Sequence, residues 1–215
     1  MNRSDASLRS TFLSVEGVAY ACFLLLDLTG HGDQTTPIKY AGVVLCLAFS
    51  LLGTDRLVPL ALALTAGADW FLLVRNDRYL LGIALFLAVQ AVYFLRLRRA
   101  GADRAWPLRS VLALGAGLGV YALGMASAVN LAAALYFSQL AANALSAWTV
   151  KGERWRAFAL GLTLFVGCDV CVGLFNVLPP GSAPYFAVSV GMWLFYLPSQ
   201  VLIALSAFPG KENVK

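Results

Sequence analysis

The fold class this sequence predicts is all-α: a multi-pass transmembrane helical bundle, on three observations. Apolar residues make up 60% of the 215 and charged residues 13%, about half the charged share of a soluble domain. A soluble chain of this length could not hide so much apolar surface, so its solvent is lipid, and only helices or a closed barrel span lipid. The apolar stretches run long enough for helices to cross ~30 Å of hydrocarbon, without the strict alternation of barrel strands. Finally, the basic residues concentrate on one side once the stretches are counted as spans.

Breaks at Gly, Pro and charge clusters divide the chain into eight spans in one membrane domain (1–215): about 11–29, 38–53, 57–74, 79–97, 107–125, 129–149, 155–177 and 184–208. The first carries Glu16 and Asp27 and lacks a clear small-residue cleavage site, so it reads as an uncleaved span rather than a leader. Short connections make consecutive helices antiparallel neighbours. With eight spans, one side holds Arg3, Arg9, Arg56, Arg96, Arg98, Arg99, Arg104, Arg109, Lys151, Arg154, Arg156, Lys211 and Lys215. The other side holds Lys39, Arg75 and Arg78. The positive-inside rule places the richer side, and both termini, in the cytoplasm. A bacterial cytoplasmic membrane is the expected location.

The net charge of +5 sets topology and does not indicate nucleic acid. Cys22, Cys46, Cys168 and Cys171 lie inside apolar stretches, where cysteine behaves as a small hydrophobe. Cys168 and Cys171 have CxxC spacing but no second ligand pair, and His31 is the one histidine. A zinc site needs four ligands, so neither metal nor cofactor is expected. No serine nucleophile elbow and no phosphate-cradling glycine loop is present.

Residues 60–76 and 160–176 share Leu60/Leu160, Leu62/Leu162, Leu64/Leu164, Gly67/Gly167, Asp69/Asp169 and Asn76/Asn176 at an offset of 100. Four spans separate the copies, so a duplication would give two parallel four-helix halves; chance matching in apolar sequence is the competing reading.

Asp69 and Asp169 are the candidate catalytic residues. A carboxylate at membrane depth costs at least ~2.5–3.5 kcal/mol, so it marks function by default. Both fall ~18–20 Å from the cytoplasmic helix ends at 1.5 Å per residue. The structural alternative is that each simply pairs with a polar neighbour. Asn76 and Asn176 are expected two turns outward on the same helical faces. Tyr136, Gln139 and Asn143 form a stripe on span 6, Gln90 and Tyr93 pair on span 4, and Tyr196 and Gln200 on span 8. Each such group serves interhelical packing at ~0.6 kcal/mol; together they could line a polar cavity. Asp27 is expected to be solvated near the outer end, and Glu16 to pair with a neighbouring helix. Lys39, opening span 2, would snorkel to a lipid phosphate or meet a phosphate-bearing substrate. The glycine-rich LGAGLG (114–119) permits close helix packing within one chain or between two, which leaves the oligomeric state open.

These residues resemble the YhhN-like lysoplasmalogenases, small eight-span membrane proteins. That family has a Gly-Asp-x-x-Leu motif in its third span, then an aromatic-x-x-Gly, a Phe and a His-x-x-Tyr. In GADWFLLVRNDRYLLGIALFLAVQAVYFL, Asp69, Leu72, Tyr79, Gly82, Phe86 and Tyr93 stand at that spacing. Cys168-Asp169 is similar to the later Ser-Asp, and Tyr196 with Gln200 to the C-terminal Tyr-x-x-x-Gln helix. Ala68, Cys168 and Gln90 stand where the family has Gly, Ser and His. The likeness runs from about Lys39 to Ser206. It implies hydrolysis of the vinyl ether bond of lysoplasmalogens, with a lysophospholipid or other single-chain lipid as substrate, membrane lipid as surroundings, and a pair of carboxyls as acid and base. A proton-coupled small-molecule or lipid transporter, or a non-catalytic lipid-binding protein of the same fold, would use the same buried carboxylates differently.

Overall fold

The structure, a computed structural model, describes residues 3–102 and 106–209. It contains eight α-helices: α1 (Arg3–Leu28), α2 (Thr36–Ser50), α3 (Leu57–Asp69), α4 (Tyr79–Arg99), α5 (Trp106–Ala122), α6 (Ala128–Ala147), α7 (Glu153–Phe175) and α8 (Ala183–Leu205). Each matches one expected span, because the interruptions that end them are residues helices do not tolerate. Gly30, Gly101, Gly124, Gly152 and Gly181 all take positive φ between helices, a conformation glycine adopts without steric cost. Ser127 and Ser182 cap α6 and α8, accepting hydrogen bonds from the Asn130 and Tyr185 amides, which satisfies first-turn donors.

Among the described residues, six helical stretches are long and apolar enough to cross a membrane. In each, only 22–44% of the most apolar window is buried inside the protein. The rest is apolar surface turned outward, which only lipid accommodates. The chain is a multi-pass membrane protein. Helices α2 and α5 are shorter.

Helices α7 and α8 form the most extensive pair. Gly161 lets α7 approach α8 so closely that an added Cβ would stand 3.0 Å from Ile203 Cγ1 and the Ser199 carbonyl. Around this pair, α3 packs on α2, α4 and α8, and α6 packs on α4, α5 and α7; α1 packs on α2 and α8. Helix α5 is peripheral, and Val111, Leu114, Leu118 and Tyr121 on it are 65–74% exposed. Gly115, Gly117 and Gly119 have no neighbour within 4 Å of a Cβ position, so the glycine-rich stretch packs no described helix of this chain closely.

The loop-charge reading needs two corrections. Arg96 is 2% exposed: it donates to Asp55 Oδ2 at 2.8 Å and to the Ser206 carbonyl at 2.7 Å, and lies over the Trp155 and Phe158 rings. Arg109 is 4% exposed and donates to Asn143 Oδ1 at 2.6 Å. Both sit one turn inside a helix end, close enough for the side chain to turn inward to a polar partner. Arg104, Lys211, Lys215 and the Arg3 side chain lie outside the described residues.

Candidate functional site: a paired carboxylate centre

Asp69 is the last residue of α3, and the chain continues as a π turn, Trp70–Val74. The Arg75 amide reaches back five residues to the Trp70 carbonyl at 2.9 Å. Such single-turn insertions widen the helix locally and recur at functional sites. Asp69 is 5% exposed, and its Oδ2 accepts a 2.7 Å hydrogen bond from the Tyr196 hydroxyl of α8. Thr65, one turn earlier on the same face, is wholly buried.

Asp169 sits on α7, which continues as regular helix to Phe175. The residue is half-buried, with Oδ2 wholly buried. The two carboxyls lie near enough for the charge of one to act on the other. The matching depths expected of Asp69 and Asp169 therefore bring them into one centre. Tyr136 of α6 stands beside Asp169, and Tyr93 of α4 beside Thr65.

Aromatic rings enclose this centre. Phe86 packs 5.5 Å from Tyr136 and 5.7 Å from Phe165; Phe165 packs 5.4 Å from Tyr196, and Trp193 5.3 Å from Tyr196. Within and around the enclosure, several buried polar atoms have no hydrogen-bond partner in the described structure: Thr65 Oγ1, Tyr93 Oη, Tyr136 Oη, Asp169 Oδ2, Gln200 Oε1 and Gln90 Nε2. Buried polar atoms are almost always bonded. Tyr136 faces Asp169 and Tyr93 faces Thr65 without a bond of good geometry, and such loosely held groups beside two carboxyls are chemistry suited to a polar group entering the bundle.

The stripe on α6 divides. Tyr136 turns to Asp169, whereas Gln139 and Asn143 accept from Arg109 at 3.3 and 2.6 Å. Asn143 also donates to Gln90 Oε1 at 2.9 Å and to the Gln90 carbonyl at 3.0 Å. Gln90 is thus tied through Asn143 to Arg109, whose guanidinium stacks 4.3 Å over Phe94. Gln200 is wholly buried on α8, one turn past Tyr196.

Three expectations fail and a fourth holds only in part. Asn76 has left the helix: it adopts φ 51°, is exposed, and accepts from the Tyr79 hydroxyl at 3.0 Å. The π turn shifts the register after Asp69 and ends the helix before two regular turns are complete. Asn176 caps the end of α7, exposed, and donates to the Val172 carbonyl of its own helix. Asn176 keeps the face of Asp169, two turns on along a regular helix, but at the helix end, so neither asparagine reaches the centre. Asp27 is 8% exposed rather than solvated, because Lys39 and Thr35 turn inward to it. Lys39 Nζ lies 2.8 Å from Asp27 Oδ2 and 4.9 Å from the Trp193 ring centroid, so it is buried in an ion pair instead of snorkelling. Glu16 does meet a neighbouring helix, accepting from Cys46 Sγ at 3.4 Å.

The sequence reading passed over Tyr40, Thr65, Arg109 and Trp193. Tyr40 of α2 packs on Trp70 and lies within electrostatic reach of Asp69. Thr65 was visible as the residue four before Asp69; Arg109 was counted as a loop charge.

A helical membrane bundle with two adjacent carboxyls in an aromatic enclosure defines the class: a multi-pass membrane protein with a polar centre sunk among its helices. The family model of the YhhN family matches residues 34–207, most of the chain. The chain belongs to the YhhN family. No curated protein and no solved structure is similar enough to match.

Proposed function

We propose that this YhhN family member is a lysoplasmalogenase-like hydrolase that crosses the membrane eight times with both termini cytoplasmic. Its substrate is a single-chain lipid with a vinyl ether, drawn from the surrounding membrane. In this reading α2 and α5 also cross, at ~22 and ~26 Å of helix. The observation that carries the chemistry is the convergence of Asp69 and Asp169 in one enclosure, the first held by a short hydrogen bond from Tyr196 and the second only loosely faced by Tyr136.

A vinyl ether is cleaved by protonating its β-carbon, which leaves an oxocarbenium ion. Water adds to that ion, and the hemiacetal collapses to a fatty aldehyde and the glycerophospho-base alcohol. One carboxyl must give the proton, and a second must be ionised to face the cation or take a proton from water. Tyr196 donates to Asp69 Oδ2 at 2.7 Å, which suits a charged carboxylate; Asp169 has the Tyr136 hydroxyl beside it but its Oδ2 makes no bond of good geometry, which holds an anion less firmly and suits a carboxylic acid. Asp169 is therefore the proton donor and Asp69 the anion. Tyr93, Tyr136 and Gln200 are placed to bond the ether oxygen, water or headgroup. The reading supports no role for Asn76 or Asn176 at the reacting atoms, and it makes Lys39 part of the wall behind Trp193.

Aldehyde release from lysoplasmalogen by purified protein, followed by mass spectrometry, tests the proposal. Asp69→Asn and Asp169→Asn should each abolish most of it in folded protein; full turnover in either refutes the assignment. Movement of intact lipid across proteoliposomes with no aldehyde would establish the carrier instead.

The fixed position of Gln90 favours one second reading. Its side-chain oxygen and its carbonyl are both engaged by Asn143, so Gln90 serves the scaffold. A lipid-binding protein without turnover would be built this way, and would retain lipid in the same assay without producing aldehyde.

A further inference from the structure

A second polar region lies at the opposite end of the bundle. Asp69 is twelve residues along α3 from Leu57, ~18 Å at helical rise, and Leu57 lines a cavity of about 450 Å³. Its wall includes Asp55, Arg96, Arg99, Lys151, Arg154 and Trp155, from the ends of α3 and α4, the α6–α7 connection and the start of α7. A volume in this range accommodates a small organic ligand.

The charge of this cavity is one-sided. Asp55 is the one acid among its lining residues, and it is held by Arg96 at 2.8 Å; Glu153 is not part of the wall. Arg96 is fully engaged by Asp55 and Ser206 beneath the Trp155 ring. Arg99, Lys151 and Arg154 remain as cations facing a space with no further carboxylate on its wall. Arg154 is close enough for its charge to act on Arg96, so the cavity concentrates positive potential.

Helix α7 adds to it. It begins after Gly152 at φ 119°, with no side chain capping its first turn. Arg154 and Trp155 of that turn line the cavity. The open N–H groups of a helix start attract anions, an effect that Glu153 in the same turn partly offsets. An adjoining cavity of about 280 Å³ shares Val150 and Lys151 and adds Arg156 and Trp148. Tryptophans interleaved with basic residues at helix ends mark the headgroup level of a membrane.

The geometry points to a binding site for a phosphate-bearing anion at this end of the bundle: an anionic phospholipid headgroup or a soluble phosphate compound. It does not depend on the hydrolase reading, because the cavity lies a helix length away from the carboxylate centre. Arg99, Lys151 and Arg154 pair with the phosphate.

The test uses full-length protein in phosphatidylcholine nanodiscs doped with phosphatidylglycerol at about one part in ten, with retained lipid counted by native mass spectrometry; each neutralised cation should cost about fivefold in selectivity. The wild type should retain phosphatidylglycerol above its bulk share, and Arg99→Gln/Lys151→Gln/Arg154→Gln should return it to bulk. In a parallel arm, inorganic phosphate is titrated into delipidated protein and thermal unfolding is followed. Phosphatidylglycerol enrichment identifies the lipid headgroup as ligand. Stabilisation by phosphate alone, lost in the triple variant, identifies a soluble compound. Neither effect, or either effect unchanged by neutralisation, overturns the site. Arg99 and Lys151 are exposed, so single variants at these positions repeat the measurement if the triple variant does not fold.

Discussion

Removing the Tyr196 hydroxyl is the most discriminating perturbation of the carboxylate centre. Tyr196→Phe deletes one oxygen, leaves the ring against Phe165 and Trp193, and takes from Asp69 Oδ2 its 2.7 Å donor. A hydrogen bond to a charged group contributes about 1.5–3 kcal/mol. At about 1.4 kcal/mol per decade, that converts to a loss of about 10- to 150-fold in turnover. Asp69→Asn removes the anion itself and should lose about 10²–10⁴-fold, the range of one acid–base group. If Tyr196 acts through Asp69, the double variant is no slower than Asp69→Asn alone, because groups working as one unit are not additive. The assay is aldehyde release in nanodiscs, with thermal unfolding of each variant as the check on folding. Turnover of Tyr196→Phe within twofold of wild type, or losses that multiply in the double variant, would refute the coupling.

Three further outcomes concern stability. Arg96→Met leaves Asp55 without its guanidinium and the Ser206 carbonyl without a donor; breaking such a buried pair should cost about 3–5 kcal/mol, read as a fall in unfolding temperature. Lys39→Met should destabilise by a similar amount because it strands Asp27, and adding Asp27→Asn should recover part of the loss; a double variant worse than the single would contradict the pairing. Gly82→Ala puts a Cβ into Leu72 of the π turn. Overpacking of that kind costs about 1–3 kcal/mol, and an unchanged melting temperature would show that the turn gives way freely.

The helices were legible because their ends are written in residues with fixed backbone behaviour, and because an apolar run in lipid has one way to satisfy its backbone. The pairing of Asp69 with Asp169 was legible through depth alone, since residue count along a helix is distance. Side-chain direction at helix ends was less legible. Arg96 and Arg109 read as loop charges, yet each lies within reach of an inward carboxylate or amide, and sequence adjacency does not reveal partners that lie 34 to 110 residues away. Asp27 and Lys39, twelve residues apart, would each be costly if buried alone; the chain brings both inward together around the 3₁₀ turn at Gly32–Gln34.

The π turn was invisible to the repeat that led to it. The six matches between 60–76 and 160–176 suggest two equivalent aspartates, but the backbones that carry them differ. After Asp69 the helix widens and ends within a few residues, with Asn76 and Arg78 both at positive φ; after Asp169 it runs on to Phe175. Asparagine tolerates positive φ but arginine seldom adopts it, so Asn76 and Arg78 mark an irregular break after α3, where Leu72 packs directly against Gly82. Two carboxyls in one site titrate apart whatever their surroundings, but in a symmetric pair nothing fixes which of them is the acid. Here one aspartate lies at a helix break with a 2.7 Å tyrosine donor, and the other lies on an unbroken helix with a tyrosine beside it but no bond of good geometry. That asymmetry, superimposed on a near-repeat, is the physical basis for assigning them different roles. It also predicts unequal effects of two like substitutions: Tyr136→Phe beside Asp169 should slow aldehyde release less than Tyr196→Phe, because Tyr196 makes a 2.7 Å hydrogen bond to Asp69 whereas Tyr136 faces Asp169 without a bond of good geometry.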